Sequence, residues 1–155
     1  MWRRPTLDDW IILACGTLLL VDSFAPWYFT DVGGTVDQRN AWHGPGLAFA
    51  VVAVLAGVAL TALVVLRLRS TRDTFRPDRM RAAALYLAGG VVAFVAVIAR
   101  MRAGTDEGSW GLYLALLLAG GLLLGGLGHW RTAGGRWPGT ARAADAPQLP
   151  SDSRR

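Results

Sequence analysis

Four long apolar runs alternate along the chain with short segments that hold nearly all of its charge. The clearest run is Leu47 to Leu66, twenty residues without a charged side chain. At about 1.5 Å per residue, a helix of that length spans roughly 30 Å, the thickness of a bilayer's hydrocarbon core. Only Gly57 and Thr61 interrupt its apolar side chains, and a threonine can return its hydroxyl to a carbonyl of its own helix. A helix that packs on a water-soluble core keeps a polar face, and this run has none. The pattern predicts helices over about 7–24, 47–66, 82–99 and 109–129. The expected fold is all-α: an antiparallel bundle of four transmembrane helices in one domain, residues 1–130.

The first run is the shortest, with an uncharged stretch from Trp10 to Val21. Two arginines, an apolar stretch and Ser23-Phe24-Ala25 also describe a signal peptide with a small-x-small cleavage site. Asp8 and Asp9 weaken the basic start, and Pro26 stands just past the cut. A retained helix with both aspartates in its first turn is the better reading, since the helix dipole favours anions there. Between the first two helices, Gly33-Gly34 separates residues that favour strands, which predicts a short β-hairpin. Trp27, Tyr28 and Trp42 in this segment fit an aromatic belt at one membrane interface.

Charge adds an orientation. All sixteen basic residues are arginine, and with eleven acidic residues the net charge is +5. Thirteen of the arginines precede the first helix, lie between the second and third, or follow the fourth; Arg39, Arg100 and Arg102 lie on the other side. The positive-inside rule then predicts cytoplasmic termini in a plasma-membrane protein. The cluster Arg67, Arg69, Arg72, Arg76, Arg79 and Arg81 suits anionic lipid headgroups, or serves topology alone. Nucleic acid is excluded as the reason for the basicity, because the arginines flank apolar runs. Cys15 is the only cysteine, so no intramolecular disulfide forms. The tail 131–155 is rich in Gly, Ala, Pro and Ser and poor in apolar groups, and is expected to be disordered.

The order Asp9-Trp10, Ser23-Phe24-Ala25-Pro26-Trp27-Tyr28, Ala41-Trp42 and Trp110-Gly111-Leu112 resembles a group of small four-helix integral membrane proteins common in actinobacteria. Its most specific piece is the Phe-x-Pro-Trp-Tyr run after the first helix. Ala25 departs from the leucine expected before the proline. The resemblance covers about residues 7–130 and implies topology and membrane localisation, with no activity and no catalytic residues.

Candidate chemistry is sparse. Asp22 near the outer end of the first helix reads either as half of an ion pair with Arg100 or Arg39, or as an ion or proton site. His43 reads as a loop residue, with a metal site beside Asp31 and Asp37 as the sharper alternative. His129 reads as an interface or helix-end residue. Small residues recur at every fourth position in Gly111, Ala115 and Ala119, in Gly121 and Gly125, and in Ala53 and Gly57. Such stripes let helices approach closely, within one chain or between chains. There is no nucleophile elbow, phosphate loop or HExxH sequence, and no cofactor or metal is expected. The helix middles lack ionisable groups, which argues against a self-contained proton-coupled transporter. These features point to a non-enzymatic accessory or scaffold subunit that binds other membrane proteins or itself. The alternative is a small carrier or channel for a lipid or ion, using Asp22 and the outer aromatic loop.

Overall fold

The structure is a computed structural model. It describes residues 4–32, 35–44, 46–69, 79–103 and 107–134, with backbone alone at 30–32, 79 and 107–108. The expected Gly33-Gly34 turn, Arg72, Arg76, the Arg79 side chain and the tail beyond residue 134 lie outside the described residues.

Among the described residues there are four helices: α1 (Leu7–Asp22), α2 (Leu47–Arg69), α3 (Arg79–Ala103) and α4 (Trp110–Thr132). Helices α2, α3 and α4 are long and apolar enough to cross a membrane. Helix α1 has 16 residues. It ends two residues earlier than expected: the Ser23 hydroxyl turns back to donate to the Leu20 carbonyl at 2.6 Å, and Pro26 opens a strand just beyond. At the other extreme, α3 exceeds its expected 82–99 at both ends. Arginine is a good helix former, so Arg79, Arg81, Arg100 and Arg102 do not stop the helix.

Each helix buries one seam. In α1 it runs Asp9, Ile12, Gly16, Leu19, Asp22. In α2 it runs Ala50, Ala53, Val54, Gly57, Leu60, Val64. In α3 it includes Ala83, Tyr86, Ala93, Ala96, Val97 and Arg100, and in α4 Gly111, Ala115, Ala119, Leu122, Gly125, Gly126 and His129. Steps of three and four keep each seam on one face of its helix. Contacts run α1 to α2, α2 to α3, α3 to α4 and α4 back to α1, so the helices form a ring in which α1 and α3 stand diagonally opposite. Only 33% of the apolar window in α2 and α3, and 44% in α4, is buried inside the chain. The rest, including Leu55, Leu85, Val95, Leu117 and Leu124, faces outward.

Along the apolar stretches hydropathy does not separate inside from outside; close backbone approach at glycine marks the seams. A Cβ on Gly126 would come within 2.6 Å of the Tyr86 carbonyl oxygen, so α3 and α4 touch backbone to backbone. At Gly16 an added Cβ would lie 2.8 Å from the Gly57 carbonyl and against the Thr61 hydroxyl, which itself donates to Gly57 at 2.9 Å.

A small sheet covers one end, in the order β2 (Thr35–Asn40), β1 (Pro26–Val32), β3 (Glu107–Gly108). The expected hairpin is present: β1 and β2 pair antiparallel from Pro26↔Asn40 to Val32↔Thr35. The third strand, paired with Tyr28 and Phe29, had no signal in the sequence. The register shifts between Pro26 and Tyr28. Such a bulge re-aims the residue within it, and Trp27 is fully buried.

Candidate functional site

Polar groups are buried at the two ends of the bundle. At the end away from the hairpin, one side chain from each helix converges: Asp9 from α1, Arg67 from α2, Tyr86 from α3 and His129 from α4. Asp9 serves two purposes. Its Oδ2 accepts from the Thr6 amide and hydroxyl, both at 2.9 Å, while the Thr6 hydroxyl accepts from the Asp9 amide at 3.3 Å, closing a capping box on α1. Its Oδ1 lies 3.2 Å from Arg67 Nη1 and 3.1 Å from His129 Nε2. The His129 contact is close but off the line of a good hydrogen bond.

Arg67 Nη1 also donates to His129 Nδ1 at 3.3 Å. An arginine has only donors, so this contact is a hydrogen bond in the tautomer whose Nδ1 is unprotonated and whose proton is on Nε2. The Tyr86 ring stacks on His129 with centroids 4.7 Å apart and lies against the Arg67 guanidinium. Asp9, Tyr86 and His129 are buried, whereas the Arg67 side chain is 42% exposed. In the sequence Asp9 reads as a first-turn acid and His129 as an interface or helix-end residue; the structure joins them. The available signal was phase: Asp9 continues the Ile12–Gly16–Leu19 seam, and His129 continues Leu122 and Gly125. One arginine assigned to lipid headgroups, Arg67, therefore spends a nitrogen inside the bundle. Arg69 and Arg81 are on the exposed surface.

At the hairpin end the expected Asp22–Arg100 ion pair does not form. Both side chains are buried, Arg100 almost completely, but they stand on the diagonal helices α1 and α3. Arg100 Nη2 donates to the His43 carbonyl at 2.7 Å, and its guanidinium sits 4.8 Å from the centre of the Tyr28 ring. Tyr28 returns its hydroxyl to the Arg100 carbonyl at 2.9 Å. Arg39 pairs instead with Asp37 at 3.2 Å, an exposed contact. Both carboxylate oxygens of Asp22 and two nitrogens of Arg100 have no hydrogen-bond partner among the described residues.

The aromatic belt is also revised. Trp27 and Tyr28 belong to the core. Trp27 donates from Nε1 to the Asp22 carbonyl at 3.0 Å, and its own carbonyl accepts from the Ser109 amide at 2.8 Å, so it ties α1 to the start of α4. Trp42 is half-buried and tilts against Phe24 at 5.9 Å. The residues of this segment look like interface anchors in sequence because bulk and aromaticity serve both roles.

The small residues are spent within the chain. Gly111 abuts Pro26 and Trp27, Gly121 abuts Cys15, Gly125 abuts Ile12, and Gly57 abuts Gly16 and Leu19. Ala53, Ala115 and Ala119 are core residues. The faces expected to recruit partners are therefore occupied by neighbouring helices of the same chain.

A polar groove of about 550 Å³ opens beside the hairpin, lined by Phe24, Pro26, Asp37, Gln38, Arg39, Asn40, His43 and Gly44. Asn40 Oδ1 orders its floor, accepting from the Trp42 amide at 3.1 Å and lying 2.7 Å from His43 Nδ1. Among the described residues no three histidine, cysteine or carboxylate side chains group to hold a metal. The chain matches no family model, no curated protein and no solved structure.

Proposed function

We propose that this chain is a four-span plasma-membrane protein with both termini in the cytoplasm, acting as a non-enzymatic accessory or scaffold subunit. It engages its partner through the hairpin groove on the outer face. One observation carries this reading: between the polar ends, the described seam residues are Gly, Ala, Val, Leu and Ile packed helix to helix. An interior of this kind offers no chain of ionisable groups for transport. The groove supplies a concave, polar surface that the bundle itself does not use.

A photo-crosslinking residue placed at Val36 on the hairpin tests this, with Leu117 on the outward face of α4 as comparison; the two side chains are 66% and 74% exposed. Discrete protein adducts from Val36 and none from Leu117, in intact cells, are expected. Adducts from Leu117 alone would defeat the groove as the docking surface.

A second reading rests on Asp22, whose buried carboxylate has no hydrogen-bond partner among the described residues. Intramembrane carboxylates mark ion or proton paths by default. Under that reading the chain is a small carrier, and vesicles containing it leak ions in a manner abolished by Asp22→Asn.

A further inference from the structure

The four-helix polar cluster is built so that one carboxylate oxygen faces two groups able to carry positive charge. Asp9 Oδ1 meets Arg67 at 3.2 Å and His129 at 3.1 Å. In the neutral tautomer protonated at Nε2, that nitrogen lies beside Asp9 without a well-aligned hydrogen bond, and Nδ1 is free to accept from Arg67 Nη1 at 3.3 Å. Adding a proton to His129 changes both contacts. It strengthens the attraction to Asp9, and it turns Nδ1 from an acceptor into a donor aimed at a guanidinium. Histidine is the side chain suited to such a change near neutral pH.

We propose that His129 is a proton-binding site that releases the end of α2. On protonation His129 replaces Arg67 as the cation held by Asp9, and Arg67 is expelled. Two features favour expulsion of Arg67 over movement of His129. The imidazole is buried and stacked on Tyr86, whereas the Arg67 side chain is 42% exposed and stands in the last turn of its helix. Asp9 is held in place by its capping box with Thr6. The other charged group packed here is Asp8, whose carboxylate lies over Gly128. It stands on the same helix as Asp9. Arg131, on α4 itself, is exposed. The consequence is that acid loosens the last turn of α2.

The test is hydrogen exchange of the full chain in mild detergent, followed at residues 66–69 and corrected for intrinsic exchange chemistry. Between about pH 8 and about pH 5.5, a range in which imidazoles titrate, exchange there should rise at least about fivefold, the lower end of ordinary coupling between two sites. His129→Gln keeps an acceptor for Arg67 and a donor for Asp9 but does not titrate, so its exchange should lack this pH response. His43→Gln removes the only other histidine and should retain it. A response unchanged in His129→Gln overturns the proposal. Should that variant fail to fold, nitrogen-15 NMR of the wild-type histidines decides instead: the proton of neutral His129 must be on Nε2, and finding it on Nδ1 overturns the proposal equally.

Discussion

Trp27 lies in a segment that reads as an interfacial belt, yet the structure places it in the core, and removing its side chain separates the two. A tryptophan buries about 150–250 Å². At about 25 cal/mol per Å² this is roughly 4–6 kcal/mol, an upper figure because the unfolded chain already hides part of that surface. The bond from Nε1 to the Asp22 carbonyl adds about 1 kcal/mol. Trp27→Ala should therefore destabilise the protein by about 3–5 kcal/mol, the usual range for a buried aromatic truncated to alanine. Trp10 and Trp110 are 59% and 57% exposed, so their alanine variants should stay within about 1 kcal/mol. Cys15, the sole cysteine and half-buried, provides the readout. A thiol-reactive dye reports its exposure on heating in mild detergent, and Trp27→Ala should lower the midpoint by roughly 10 °C or more. If Trp27→Ala melts no earlier than Trp10→Ala, the core assignment is wrong and the belt reading returns.

Gly126→Leu should destabilise by at least about 3 kcal/mol or misfold, since its new side chain meets the Tyr86 backbone. Gly120→Leu, whose nearest neighbour is Phe94 at 3.8 Å, should change the same melting midpoint little. Asp9→Ala should cost about 2–4 kcal/mol by removing a helix cap and leaving buried polar partners unmet, with Asp9→Asn milder. A double-mutant cycle of Asp22→Asn and Arg100→Gln should show coupling below about 0.5 kcal/mol, because no hydrogen bond joins the two groups. Arg39→Gln should leave thermal stability within about 0.5 kcal/mol, its pair with Asp37 being exposed.

The helices were legible because lipid-compatible length and the absence of interior charge leave few alternatives for runs such as Leu47–Leu66. The hairpin was legible from Gly33-Gly34 between strand-forming residues. Helix ends were less so. A charge such as Arg79 or Arg102 looks like a stop, but a helix passes through arginine readily. Which face of each helix points inward was hidden for a different reason. Leu117 on the outside and Leu122 on the inside are equally apolar, so hydropathy has no contrast to report. Only the spacing of Gly and Ala carried it. The polar cluster escaped notice because Asp9, Arg67, Tyr86 and His129 are far apart in sequence and each has an ordinary local explanation. The Asp22–Arg100 pair was expected from shared depth alone; depth does not say which corner of the bundle a residue occupies.

The division between small seam residues and a bulky outer coat has an engineering consequence. Leu55, Leu85, Val95, Leu117 and Leu124 are each more than half exposed and lie outside the buried seams, so the packing between helices depends on them little. Exchanging that coat for glutamate, lysine and glutamine should yield a detergent-free analogue with the same interior, opening the polar cluster and the groove to solution spectroscopy.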